Sequence, residues 1–97
     1  MKAQAGQLQG EMMKPDTKES IDKYIKYGYT PGDFLSAVFA NNLIQALHRA
    51  DGDNSRDLRE IIRYIGEKAP AASWGSDVAV HNWMKIGGLK GMMEVAV

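Results

Sequence analysis

The block Thr30-Pro31-Gly32-Asp33, followed by Phe34-Leu35-Ser36-Ala37-Val38-Phe39-Ala40-Asn41-Asn42-Leu43, constrains the fold more than any other stretch of this chain. Proline at the first helical position gives up no needed N–H. Thr30, with Asp33 three residues on, completes a helix start signal. At about 100° per residue, Leu35, Phe39, Leu43, Ala46, Leu47 and Ala50 share one broad face, while Phe34 and Val38 lie on the other. The spacing predicts one continuous helix from Thr30 to Ala50. A helix apolar nearly all round must be enclosed by neighbours, so the fold is expected to be organised around it.

Three further helices are expected. Asp16 or Thr17 can cap the first, whose apolar stripe is Ile21, Tyr24 and Ile25; Gly28 suits the left-handed residue that closes it. Another begins near Asn54 or Ser55 and carries Leu58, Ile61, Ile62 and Ile65 at helical spacing, with Pro70 preventing continuation. Ser76 is a good cap for the last, which presents Ala79, Val80, Trp83 and Ile86 and stops at Gly87-Gly88. The expected fold is an all-α bundle of about four helices. A flexible segment precedes it over residues 1–14, a single helical domain spans 15–88, and a tail over 89–97 is either loose or docked on another subunit.

Composition narrows the function classes. In 97 residues, twelve basic side chains balance twelve acidic ones, which argues against a dedicated nucleic-acid binder with its basic surplus. The chain has no cysteine, so disulfides, thiolate catalysis and cysteine-built zinc sites are excluded. No apolar run approaches the ~18 residues of a membrane span. Met1 to Met13 lacks the apolar core of a secretion signal, so an intracellular location is expected.

No reaction is identified. Asp51-Gly52-Asp53-Asn54-Ser55-Arg56-Asp57 has the oxygen ligands of a calcium loop, but Arg56 stands where the sharp turn wants glycine and Ile62 where a bidentate carboxylate belongs. Capping explains these residues better, and no metal or cofactor is expected. His48 and His81 form no metal-spaced pair, and no serine lies in a nucleophile elbow. The expectation is a non-enzymatic protein that works by binding.

Two stripes are candidate binding surfaces. Asn41, Asn42, Gln45 and Arg49 line one side of the Thr30–Ala50 helix, either as an internal polar network or as a recognition surface. Arg56, Arg59 and Arg63 fall within about 60° of one another on the next helix. They suit phosphate groups or a partner's carboxylates, although interleaved Glu60 and Glu67 favour a solvated face with local ion pairs. Tyr24 is a further candidate, as an aromatic with a polar atom near a helix end. The pairs Met12-Met13 and Met92-Met93, in the least structured segments, suit adaptable contacts, and a homo-oligomer is expected.

Residues 19–84 also resemble a family of small proteins encoded by tailed bacteriophages and prophages. The resemblance rests on Ile21-Asp22-Lys23-Tyr24, Pro31 to Val38, Asn41-Asn42-Leu43, Arg49-Ala50-Asp51 and Asn54, then Pro70, Trp74-Gly75-Ser76 and Trp83. It transfers no catalytic or binding role to any residue. What it implies is a setting, the cytoplasm of an infected bacterium. There, small phage accessory proteins bind and inhibit a host protein or complex, often one used in defence. The alternative is an oligomeric sponge that sequesters a nucleotide signal, with a DNA-binding regulator built from a helix pair as the less favoured third reading.

Overall fold

Pro15 opens the first helix of the computed structural model, which describes residues 13–95. Helix α1, Pro15–Tyr27, starts two or three residues earlier than Asp16 or Thr17 as cap predicts: Lys14 is its N-cap, without a side-chain cap bond. Thr17 lies inside the helix, buried, and its hydroxyl donates to Asn54 Oδ1 at 3.3 Å. Ile21, Tyr24 and Ile25 are buried as their spacing requires, and Gly28 adopts the left-handed conformation at φ 75°.

The predicted Thr30–Ala50 helix is two helices, α2 (Asp33–Phe39) and α3 (Leu43–Arg49). Gly32, not Thr30, is the N-cap of α2. The break is a Schellman motif: Asn41 N–H donates to the Val38 carbonyl at 3.0 Å, and Asn42 N–H to the Ala37 carbonyl at 2.9 Å. Asn41 has φ 62°, the single non-glycine residue with positive φ among the described residues. Asparagine tolerates that region better than other side chains, which is why the motif forms without glycine. Asn42 then caps α3, its Oδ1 accepting from Gln45 N–H at 3.1 Å. The redirection splits the predicted apolar face. Leu35, Phe39 and Ala46 reach the core, whereas Leu43 and Leu47 are exposed.

The Asp51–Pro70 segment divides likewise, into α4 (Gly52–Arg56) and α5 (Leu58–Lys68). Asp51, rather than Asn54 or Ser55, is the cap, with its Oδ1 accepting from Asn54 N–H at 2.7 Å. Ile61 and Ile65 are buried, Leu58 is half-buried and Ile62 is exposed. After a 3-10 turn, Ala71–Ser73, helix α6 runs over Asp77–Ile86, capped by Ser76 as predicted. Gly87 and Gly88 are both left-handed and reverse the chain into α7, Gly88–Val95. Seven α-helices and no strand are thus present among the described residues, where about four helices are expected from the sequence.

As far as Val95 the tail is a packed element, not a loose one. Helix α7 lies on α1 and α6 of its own chain. The α1–α7 crossing is a backbone contact: a Cβ on Gly88 would sit 2.6 Å from Gly28 N and 2.7 Å from the Lys26 carbonyl oxygen. At the other end, Met13 is buried in the core and Lys14 Nζ pairs with Asp51 and Asp53 at 3.3 and 3.7 Å. The flexible segment expected over 1–14 otherwise lies outside the described residues.

The core centres on Tyr24 and Phe39, whose ring centroids are 4.2 Å apart at 42°. Both are fully buried, together with Ile21 and Ile61. Burying side chains of this size contributes about 2 kcal/mol each.

Candidate functional site

Helix α3 presents two different sides to two different grooves. At about 100° per residue, Ala46, Leu43, Leu47 and Ile44 follow one another around one side, and Arg49 and Gln45 occupy the other. Ala46 is the one buried residue of the helix, so both sides remain open to contact.

The polar groove runs between α3, α2 and α6. Asn42, Gln45 and Arg49 line it from α3, Ser36 from α2, and Asp77 and His81 from α6, around a volume of about 330 Å³. Asp77 and His81 are one turn apart on α6, which points both into the same cleft. Arg49 Nη1 donates to the Asp33 carbonyl at 3.3 Å, which ties the guanidinium to the first turn of α2. The groove therefore combines amide donors and acceptors, a guanidinium, an imidazole, a hydroxyl and a carboxylate. Ser36, His81 and Asp77 are the residue types of a hydrolytic triad, but the side-chain hydrogen bonds of the described residues join no two of them.

Three of the four amide-stripe residues thus meet in one concavity, and all four are exposed rather than part of a buried network. Asn41 is carried to the other side by the Schellman turn. There it lines, with Asn42, an apolar groove of about 150 Å³ between α3 and α5, walled by Leu43, Ala46, Ile62 and Trp74. Trp74 is placed there because Gly75 N–H donates to the Phe39 carbonyl at 2.7 Å, satisfying an orphan acceptor at the end of α2.

The arginine stripe is interrupted. Arg56 belongs to α4 and grips the buried Asp57 carboxylate with two bonds, Nε to Oδ1 at 2.9 Å and Nη2 to Oδ2 at 3.1 Å. That pairing pushes the Arg56 guanidinium above its ordinary value, with Asp53 adding to the effect. Arg63 pairs with Glu60 at 2.7 Å. Arg59 makes no ion pair among the described residues. The carboxylates of the calcium-like loop are committed too: Asp51 caps α4 and pairs with Lys14, and the Asn54 N–H bond, followed by Lys14, holds its carboxyl below its ordinary value.

Tyr24 is corrected from binding candidate to core residue. It is fully buried, its hydroxyl donates to the Ser73 carbonyl at 2.7 Å, and burial pushes its pKa upward. The methionine pairs are also unequal: Met13 is buried, Met92 and Met93 are exposed on α7, and Met12 lies outside the described residues.

Sequence reasoning missed the partners that α6 contributes, Asp77 and His81, because their juxtaposition with α3 is set by tertiary packing. It also missed the exposure of Ile44 and Leu47. The signal for that was the Asn41-Asn42 pair, where one amide suits a left-handed residue and the next an N-cap. No protein-family model, no curated protein and no solved structure matches the chain.

Proposed function

We propose that this chain is a non-enzymatic accessory protein of a tailed phage that binds and inhibits a host bacterial protein through the polar groove between α3 and α6. The observation that carries the reading is the convergence of Asn42, Gln45 and Arg49 with Ser36, Asp77 and His81 on one open, concave surface. Amides and arginine give directional bonds without demanding a single partner charge, and arginine is enriched at protein interfaces. The phage setting comes from the sequence resemblance. No helix among the described residues is long and apolar enough to cross a membrane, and the bacterial cytoplasm is the proposed place of action.

The test is capture from a bacterial lysate with the immobilised protein, and identification of stoichiometric partners by mass spectrometry. The wild type is expected to retain one host protein, and Arg49→Glu or His81→Glu to lose it. Arg59→Glu, outside the groove, is expected to retain it. Capture of the same partner by both groove variants, or no stoichiometric partner at all, would sink the reading.

A second reading, capture of a nucleotide signal, draws on the same groove: Arg49 and His81 suit phosphate oxygens, and Asn42 and Gln45 suit base edges. It predicts a rise in melting temperature with one member of a panel of nucleotide messengers, lost in Arg49→Glu.

A further inference from the structure

The geometry points to a two-fold dimer in which Ile44 of each copy fills the apolar groove bounded by Leu43, Ile62 and Trp74 of the other, with Leu47 packed at its rim. This surface meets the polar groove proposed for the host partner only at Asn42, and the inference stands independently of that reading.

Three observations favour a second copy as the occupant. The first is self-complementarity. Helix α3 supplies both one wall of the groove, through Leu43 and Ala46, and the protruding side chains beside it, Ile44 at 69% and Leu47 at 49% exposure. A two-fold axis beside α3 places each Ile44 in the opposite groove at once, the arrangement an isologous interface requires.

The second is size. A dry cavity of about 150 Å³ accepts one benzene-sized apolar group, so this groove suits a single Ile or Leu side chain. Leu43, Ile44, Leu47, Ile62 and Trp74 together leave on the order of 500 Å² of exposed surface, so pairing two copies removes up to about 1,000 Å², the size of a weak specific interface. The third is charge. No charged residue lines the groove, and the chain as a whole is neutral, so two copies approach without net repulsion.

Sedimentation velocity across about 1 to 100 µM tests the proposal, a range that covers weak self-association. The wild type is expected to pass from monomer to dimer over that range. Ile44→Glu and Leu47→Glu are expected to remain monomeric with an unchanged far-UV spectrum, because both positions are exposed. Val78→Glu, an equally exposed apolar position on α6, is expected to dimerise as the wild type does. Tryptophan emission gives a second readout: Trp83 is 2% exposed in the single chain, so a blue shift with concentration reports on Trp74. A wild type that stays monomeric throughout overturns the proposal. So does a dimer that survives both α3 variants, which places the interface elsewhere. A monomeric wild type that captures a host protein only while Ile44 is intact also overturns it, and assigns the groove to a foreign chain.

Discussion

Trp83 donates its indole N–H to the backbone carbonyl of Tyr24 across 2.9 Å, joining α6 to α1 in the core. That carbonyl also accepts from Gly28 N–H at 2.9 Å, whereas the Tyr24 hydroxyl reaches the Ser73 carbonyl, for which no other partner is recorded among the described residues. The two bonds therefore differ in what their loss leaves behind. Tyr24→Phe leaves a buried carbonyl unpaired and is expected to cost about 1–3 kcal/mol. The loss attributable to the indole bond alone is about 1 kcal/mol, since Gly28 still satisfies its acceptor. Urea titration of Tyr24→Phe checks the first value, and a Tyr24→Phe cost below that of an exposed control such as Tyr29→Phe would contradict it.

Tyr24 also sets an alkaline limit. Burial raises its pKa in the folded state above the ordinary 10.0. A raised pKa means that the folded state binds the proton more tightly, so the stability it brings is intact below pH 10 and is lost as pH rises beyond it. Alkaline unfolding followed by circular dichroism is expected to begin above about pH 10 and to lose its Tyr24 component in Tyr24→Phe, leaving any contribution from Tyr64, whose pKa is also raised, chiefly by burial. Asp51 acts in the opposite sense. Its depressed pKa gives stability that is present above the ordinary 3.8 and is lost as pH falls through the folded value. Asp51→Asn is expected to flatten the acid limb of the stability curve below that point.

At Asn41 the backbone decides the outcome. A β-branched side chain at φ 62° is strained, and Asn41→Val is expected to destabilise by about 1–2 kcal/mol. Asn41→Gly, which adopts the conformation freely, is expected to be neutral or slightly stabilising. Because the position is exposed, chemical denaturation of the pair isolates the dihedral term. Equal midpoints for the two variants would exclude a Schellman turn here.

Gly88→Ala attacks the α1–α7 crossing. The new methyl must displace the backbone at Gly28 and Lys26, in a residue whose φ is already 69°. Strain and overpacking together are expected to cost about 3 kcal/mol. Hydrogen exchange is the appropriate measurement: protection is expected to fall in α7 and the C-terminal turn of α1 before it falls in α5.

Much of the fold was legible in local pattern. The stripe Ile21, Tyr24, Ile25, the left-handed Gly28 and the Ser76 cap depend on neighbours in sequence, and each lies where spacing puts it. The single Thr30–Ala50 helix failed because apolar periodicity continues through Asn41 and Asn42, while their backbone preferences interrupt it. The helical tail failed for a different reason: Gly87-Gly88 stops α6 and also starts α7, and a short helix of this kind gains its stability from packing on α1 rather than from propensity. Of the candidate site, Asn42, Gln45 and Arg49 were legible as a polar stripe. Asp77 and His81 were not, since nothing local places α6 against α3.

The Gly28–Gly88 contact has a consequence for how the protein is made. It joins the first described helix to the last, so the contact that closes the molecule spans some sixty positions of chain and is among its least local. Non-local closure is slow relative to helix formation. On the ribosome, α1 emerges with its apolar stripe uncovered; Phe39 of α2 can reach Tyr24 early, whereas Ser73, Trp83 of α6 and finally the α7 crossing follow only as the rest of the chain is made. The core face of α1 can thus be covered before the molecule closes, and the α1–α7 crossing is left as a late, separate docking step.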